Sequence, residues 1–101
     1  MMTIDGTYDV TIQAPGRTAI GILRVKAEGE FVSGSYEAHE KTQPLTGSIT
    51  GKNVKFFTAV GDAPQQIKLE FTGVVSDKEI TGTARANDSE PSNFTATKRN
   101  Q

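Results

Sequence analysis

The sequence predicts an all-β fold: an antiparallel up-and-down meander of about eight strands closed into a small barrel. Three observations predict it. Apolar and polar residues alternate at period two along most of the chain, and no window carries a helical stripe at i, i+3, i+4, i+7. Turn residues interrupt the alternation at short intervals. The connections marked this way are too short for crossovers, so strands adjacent in sequence pair as hairpins.

The elements follow in order. The first strand is expected over about Gly6–Ala14 and ends at Pro15-Gly16-Arg17. The second covers Ala19–Ala27 and turns at Glu28-Gly29. The third covers Glu30–Glu37 and leads into a loop at His39-Glu40-Lys41. The fourth, Gln43–Thr50, turns at Gly51-Lys52 into the fifth, Asn53–Val60. A break at Gly61-Asp62-Ala63-Pro64 precedes the sixth, Gln66–Val75. Asp77-Lys78 turns it into the seventh, Glu79–Ala86. Asn87-Asp88-Ser89-Glu90-Pro91 leads to the eighth, Ser92–Lys98. Glycine supplies positive φ in these breaks, and proline costs no ladder bond there.

Three turns predict registers. With Glu28-Gly29 as the turn, Val25 faces Val32, Leu23 faces Gly34 and Gly21 faces Tyr36. With Gly51-Lys52, Ile49 faces Val54, Gly47 faces Phe56 and Leu45 faces Thr58. With Asp77-Lys78, Val75 faces Ile80, Gly73 faces Gly82 and Phe71 faces Ala84, while Glu70 meets Arg85 on the other side. Each register gathers apolar residues on one face, and a slip by one residue would scatter them. The inward set is then Tyr8, Val10, Ile12, Leu23, Val25, Val32, Tyr36, Leu45, Ile49, Val54, Phe56, Thr58, Val60, Ile67, Leu69, Phe71, Val75, Ile80, Ala84, Phe94 and Ala96. Gly21, Gly34, Gly47, Gly73 and Gly82 interleave with it, and small residues between large ones suit a narrow barrel.

Composition narrows function. Hydrophobic residues are 35% of the 101-residue chain, enough for one modest core, so residues 1–101 are read as a single domain. Eleven Lys and Arg against 12 Asp and Glu leave a formal net charge of −1. No field steers the chain toward nucleic acid or an acidic membrane. Cysteine is absent, which removes disulfides, thiolate metal sites and cysteine nucleophiles. One histidine cannot build a histidine metal site, and no cofactor is expected. Met1-Met2-Thr3-Ile4-Asp5-Gly6 lacks the basic and apolar regions of a secretory signal. No stretch approaches the ~20 apolar residues of a membrane span, so a cytoplasmic protein is expected.

Several local patterns occur together: Gly6-Thr7-Tyr8, the Pro15-Gly16 turn, Val32-Ser33-Gly34, Leu45-Thr46-Gly47, Phe71-Thr72-Gly73, Ile80-Thr81-Gly82, and the closing Phe94-Thr95-Ala96-Thr97-Lys98-Arg99. Together they resemble the lipocalin-like (calycin-like) barrels, in particular the short bacterial ones. The resemblance implies the barrel fold. Tyr8 stands where lipocalins carry Trp. Lys98 or Arg99 stands where they carry a basic residue packed over that aromatic. Through its best-known members the resemblance also implies binding of small apolar molecules. The chain departs from the pattern in its Tyr, its shortness and its lack of a terminal helix.

An inward phenol needs a hydrogen-bond partner or a ligand. Tyr8 and Tyr36 are therefore candidate ligand contacts, with Phe56 and Phe71 beside them and His39 at the barrel mouth. His39 lies between Glu37 and Glu40, a setting for a general base, although a solvated loop is the simpler reading. Asp9, Glu70 and Arg85 face outward as solubility groups. Asp62, Asp77 and Asp88 do not match the spacing of a calcium loop. Phe31 and Phe57 do not interleave with a basic stripe, which argues against an oligonucleotide surface. Ile20, Ile22, Phe31, Phe57 and Val74 also point outward. Ile20, Ile22 and Phe31 fall on neighbouring strands and suggest a homodimer or partner interface, unless a bulge near Ile22-Leu23 turns Ile22 inward.

The leading expectation is non-catalytic binding of a small apolar molecule, in space that the five glycines leave unfilled. The alternative is an interaction module using Ile20, Ile22 and Phe31. A third is a barrel enzyme that cyclises or isomerises apolar substrates, with His39, Tyr8 or Tyr36 as acid or base.

Overall fold

The alternating pattern becomes eight strands in the computed structural model, which describes residues 4–61, 66–87 and 89–99. They are β1 (Gly6–Ala14), β2 (Arg17–Glu28), β3 (Phe31–Ala38), β4 (Lys41–Thr50), β5 (Asn53–Val60), β6 (Ile67–Ser76), β7 (Glu79–Ala86) and β8 (Ser92–Lys98). Each strand pairs antiparallel with the next, and β8 returns to β1. Closure leaves no long edge strand to recruit another chain. The inward positions form one core around Val32, Phe56, Ile80 and Ala96, and among the described residues no polar or charged side chain other than the two tyrosines is buried in it.

The hairpins at Gly51-Lys52 and Asp77-Lys78 have the expected registers. Ile49 faces Val54, Gly47 faces Phe56, Val75 faces Ile80, Gly73 faces Gly82 and Phe71 faces Ala84. The expected Leu45–Thr58 pair lies beyond the β4–β5 ladder, which ends at Thr46 and Phe57. There the half-buried Thr58 donates its hydroxyl to the Pro44 carbonyl at 2.9 Å instead. Glu70 does stand opposite Arg85. Its ion pair runs to Lys55, at 3.4 Å.

The β2–β3 hairpin corrects the expectation. The turn is Gly29-Glu30, so Val25 faces Gly34, Leu23 faces Tyr36 and Ala27 faces Val32. The pairing moves by two residues relative to Glu28-Gly29, and a shift of two leaves every side chain on its own face. The inward pattern could not distinguish the two registers. The unbroken β1–β2 and β2–β3 registers also exclude a bulge at Ile22, which points outward between Asp9 and Glu37.

The expected loop at His39 is a two-residue turn. Ala38 pairs with Lys41, and His39 and Glu40 have φ of 54° and 65°. Positive φ at both central residues is the type I′ requirement, normally met by Asn-Gly. With neither residue in place, the sequence hides a tight turn. The break at Gly61-Asp62-Ala63-Pro64 and Asp88 of the last loop lie partly or wholly outside the described residues.

Two inward assignments change. Ile67 is 39% exposed, because it forms the last pair of the β5–β6 ladder, with Val60, at the end of the barrel. Ile4, ahead of β1, is buried in the core. The inward glycines do not leave the expected empty space. A Cβ on Gly82 would lie 2.5 Å from the Gly73 Cα and closer still to the Thr72 carbonyl. This glycine is required by the close approach of two backbones.

Candidate functional site

Up-and-down connectivity gives the barrel two unlike ends. The turns β2–β3, β4–β5 and β6–β7 gather at one end with Ile4 and Arg99. The turns β1–β2, β3–β4 and β7–β8 gather at the other, together with the ends of β5 and β6.

The first end is plugged. Tyr8 is buried and donates its hydroxyl to the Ile4 carbonyl at 2.8 Å. Asp5 accepts the Ala27 N–H at 2.8 Å and ties the entering chain to β2. Lys98 pairs with Tyr8 in the ladder, and its stem lies over Gly6, where a Cβ would come within 2.6 Å of the Lys98 Cε. The Arg99 N–H bonds the Thr7 carbonyl at 2.8 Å. The Arg99 guanidinium grips Asp9, its closest contact 2.7 Å, and these hydrogen bonds hold the Asp9 carboxyl below its usual pKa. Burial, with Asp5 nearby, pushes the Tyr8 phenol above its usual value.

The opposite end holds a cavity of about 350 Å³. Ile12, Ala19, Val60, Ile67, Leu69, Ala84 and Ala86 make its apolar wall, and Arg17, His39 and Glu90 stand at its rim. Its size and lining fall within the range of small-molecule pockets. The apolar side chains can line a space here because the inward register continues past the last layer of the core. Tyr36 lies in the same wall and is 2% exposed. Its ring centroid is 5.5 Å from that of Phe71, which packs edge-on to Phe94 at 5.0 Å. Burial pushes the Tyr36 phenol up to about 12.

The mouth also opens sideways. The β2–β3 ladder ends at Ile22 and Glu37, so β2 up to Gly21 and β3 from Ala38 onward part from each other. An outer groove of about 420 Å³ begins at this parting, from Asp9 and Arg99 to Ile20, Ala38 and His39, and it shares Ile20, Ala38 and His39 with the mouth.

The five proposed ligand contacts separate accordingly. Tyr36 and His39 line the mouth. Phe71 supports Tyr36 from below. Phe56 is fully buried and stands directly opposite Phe71 in the β5–β6 ladder. Tyr8 lies at the plugged end with its hydroxyl already bonded. For acid-base chemistry His39 lacks an orienting partner. Among the described residues it makes no hydrogen bond or ion pair, and Glu37 is held by Arg24 at 3.1 Å. The interface trio separates too. Ile20, 72% exposed, and Ile22 line the outer groove. Phe31, 55% exposed, faces Glu28, six positions farther along β2 and about 20 Å from Ile22.

Alternation alone marks Ala19, Leu69 and Ala84 only as strand positions or core. Counting from the turns would have found them, since each lies near a turn at the open end. Among the described residues no helix is long and apolar enough to cross a membrane, and no cluster of His, Asp and Glu could hold a metal ion. No protein-family model matches the chain and no curated protein matches it, so what the site does must follow from its own geometry.

Proposed function

We propose that the barrel is a binding protein that takes up a small apolar molecule through its open end and holds it without converting it. The observation that carries this reading is the asymmetry of the ends: one is plugged by Ile4, Tyr8 and Lys98, and the other holds an apolar cavity of about 350 Å³. A molecule there exchanges hydrated apolar surface for the wall, the main driving force of such association. At the ~30 Å³ a water molecule occupies in the liquid, the space admits about a dozen non-hydrogen atoms. At roughly −0.3 to −0.5 kcal/mol per atom, the dissociation constant falls between the millimolar and the tens of micromolar. The lipocalin-like resemblance supports the same reading. Lys98, opposite Tyr8, is the better match for the closing basic residue, since Arg99 turns out to Asp9.

The test is a titration with naphthalene or indane followed by backbone NMR. Binding moves the resonances of Ile12, Ala19, Leu69 and Ala84 and leaves those of Ile4 and Tyr8 in place. Ala19→Phe fills the mouth and abolishes the shifts in a folded protein. Saturating probe that leaves the mouth resonances unmoved refutes the reading.

The exposed Ile20 beside Ile22 favours a second reading, in which two copies meet across the outer groove. Sedimentation velocity tests it: a dimer that Ile20→Glu dissociates supports it, and a monomer at high concentration refutes it.

A further inference from the structure

A buried hydroxyl without a partner is costly, and proteins rarely tolerate one unless something else completes it. Tyr8 and Tyr36 contrast here. The Tyr8 hydroxyl is completed by Ile4. The Tyr36 hydroxyl bonds no described residue, yet no side-chain oxygen or nitrogen among the described residues is sealed off without a partner. Tyr36 therefore reaches the cavity it lines with its donor still available.

Its ring is held in place. A Cβ on Gly21 would lie 2.6 Å from the Tyr36 Cζ and against its hydroxyl, so the phenol occupies the space a side chain at 21 would fill. Phe71 packs on the ring at a 56° tilt. Gly21 and Tyr36 are diagonal neighbours, one step off the Leu23–Tyr36 pair. The cavity therefore has a fixed donor in a largely apolar wall, whose other inward hydroxyl is that of Ser92, opposite Ala84. With a pKa near 12 the phenol stays protonated at neutral pH and can only donate to an incoming acceptor or accept a second bond.

We infer that Tyr36 selects the ligand: a neutral molecule with an apolar body and a hydrogen-bond acceptor oxygen, such as a ketone, ester or ether, at its inner end. The inference rests on the proposed binding function and adds the ligand's chemistry. A plain hydrocarbon shuts the hydroxyl off from solvent and offers it no acceptor. A carboxylate would bury a charge among Ile12, Leu69 and Ala84, with Arg17 only at the rim.

The test compares 1-indanone with indane, near-isosteric bicyclics of about ten non-hydrogen atoms that fit the cavity. Both are titrated into the full chain and into Tyr36→Phe, which keeps the ring and removes the donor. The wild-type protein prefers 1-indanone by about tenfold. Tyr36→Phe binds indane as before and loses the preference. Infrared spectroscopy gives a readout independent of the variant's folding, because the carbonyl stretch of wild-type-bound 1-indanone moves to lower frequency. Equal binding of the two probes, a preference that survives in Tyr36→Phe, or an unshifted carbonyl band overturns the role of Tyr36 and leaves the cavity reading standing. Failure of both probes to bind the wild-type protein overturns both.

Discussion

Removing the hydroxyl from each tyrosine in turn should produce opposite results from the same chemical change. In Tyr8→Phe the lost bond is the 2.8 Å donation to the Ile4 carbonyl. That carbonyl belongs to a residue buried in the core, so it is left without a partner in an apolar setting. The cost is about 1–2 kcal/mol. In a chain of 101 residues each kcal/mol lowers the melting temperature by roughly 4–8 °C, so the expected loss is about 5–15 °C. In Tyr36→Phe no bond to a described residue is lost, and the ring contacts with Phe71 and Gly21 remain. Stability should change by no more than ~0.5 kcal/mol. Far-UV circular dichroism melts and urea titrations at neutral pH measure both, and neither signal depends on the tyrosines removed. Equal destabilisation by the two substitutions would refute the reasoning. It would mean that the Tyr36 hydroxyl is already bonded within the fold and is not available to a ligand.

Further consequences are open to the same methods. The folded Tyr36 phenol titrates near 12 against an unfolded value of about 10, so the neutral form is the one the fold favours. Its contribution is intact below pH ~10 and is lost as pH rises through 12. Across that window the wild-type protein should lose roughly 2–3 kcal/mol more than Tyr36→Phe, measured by urea titration at each pH. Replacing His39-Glu40 by Asn-Gly gives the type I′ turn its preferred residues and should stabilise by ~1 kcal/mol. An unchanged melting temperature would show that the turn carries no strain. Gly82→Ala drives a methyl into the Thr72 carbonyl and should destabilise by more than ~2 kcal/mol, whereas Ser33→Ala on β3, across the barrel from β7, should cost far less. Comparable urea midpoints for the two variants would refute the close-approach account of this glycine.

The fold was legible because its signal is redundant. Tyr8-x-Val10-x-Ile12, Leu45-x-Gly47-x-Ile49 and Leu69-x-Phe71-x-Gly73-x-Val75 each repeat the same two-residue rule, and eight such runs joined by short turns leave few alternatives to a meander. The β2–β3 pairing was not legible for the same reason. A rule of period two cannot separate registers that differ by two, and Glu28-Gly29 and Gly29-Glu30 both place a glycine in the turn. The β3–β4 turn escaped because His39 and Glu40 adopt positive φ without the residues that usually announce it. Ile4 escaped because it precedes the first strand, where no alternation exists to assign it a side.

The candidate site depends on a coordinate that alternation does not carry. Inward or outward follows from the parity of a position, but the end of the barrel a residue occupies follows from its distance to the turns. Tyr8 lies seven residues before Pro15, and Tyr36 lies three before His39, while both turns belong to the same end. At ~3.3 Å per residue that difference is about 13 Å along the barrel axis before strand tilt is counted. It separates a phenol that seals one end from a phenol that faces the cavity at the other. Two tyrosines equal by pattern thus acquire different chemistry from turn positions alone. The same count places Ala84 and Leu69 at the mouth, and Phe31, beside Gly29, at the far end from Ile20. In a barrel this small, the chain's punctuation locates the binding end, and the apolar residues supply only its wall.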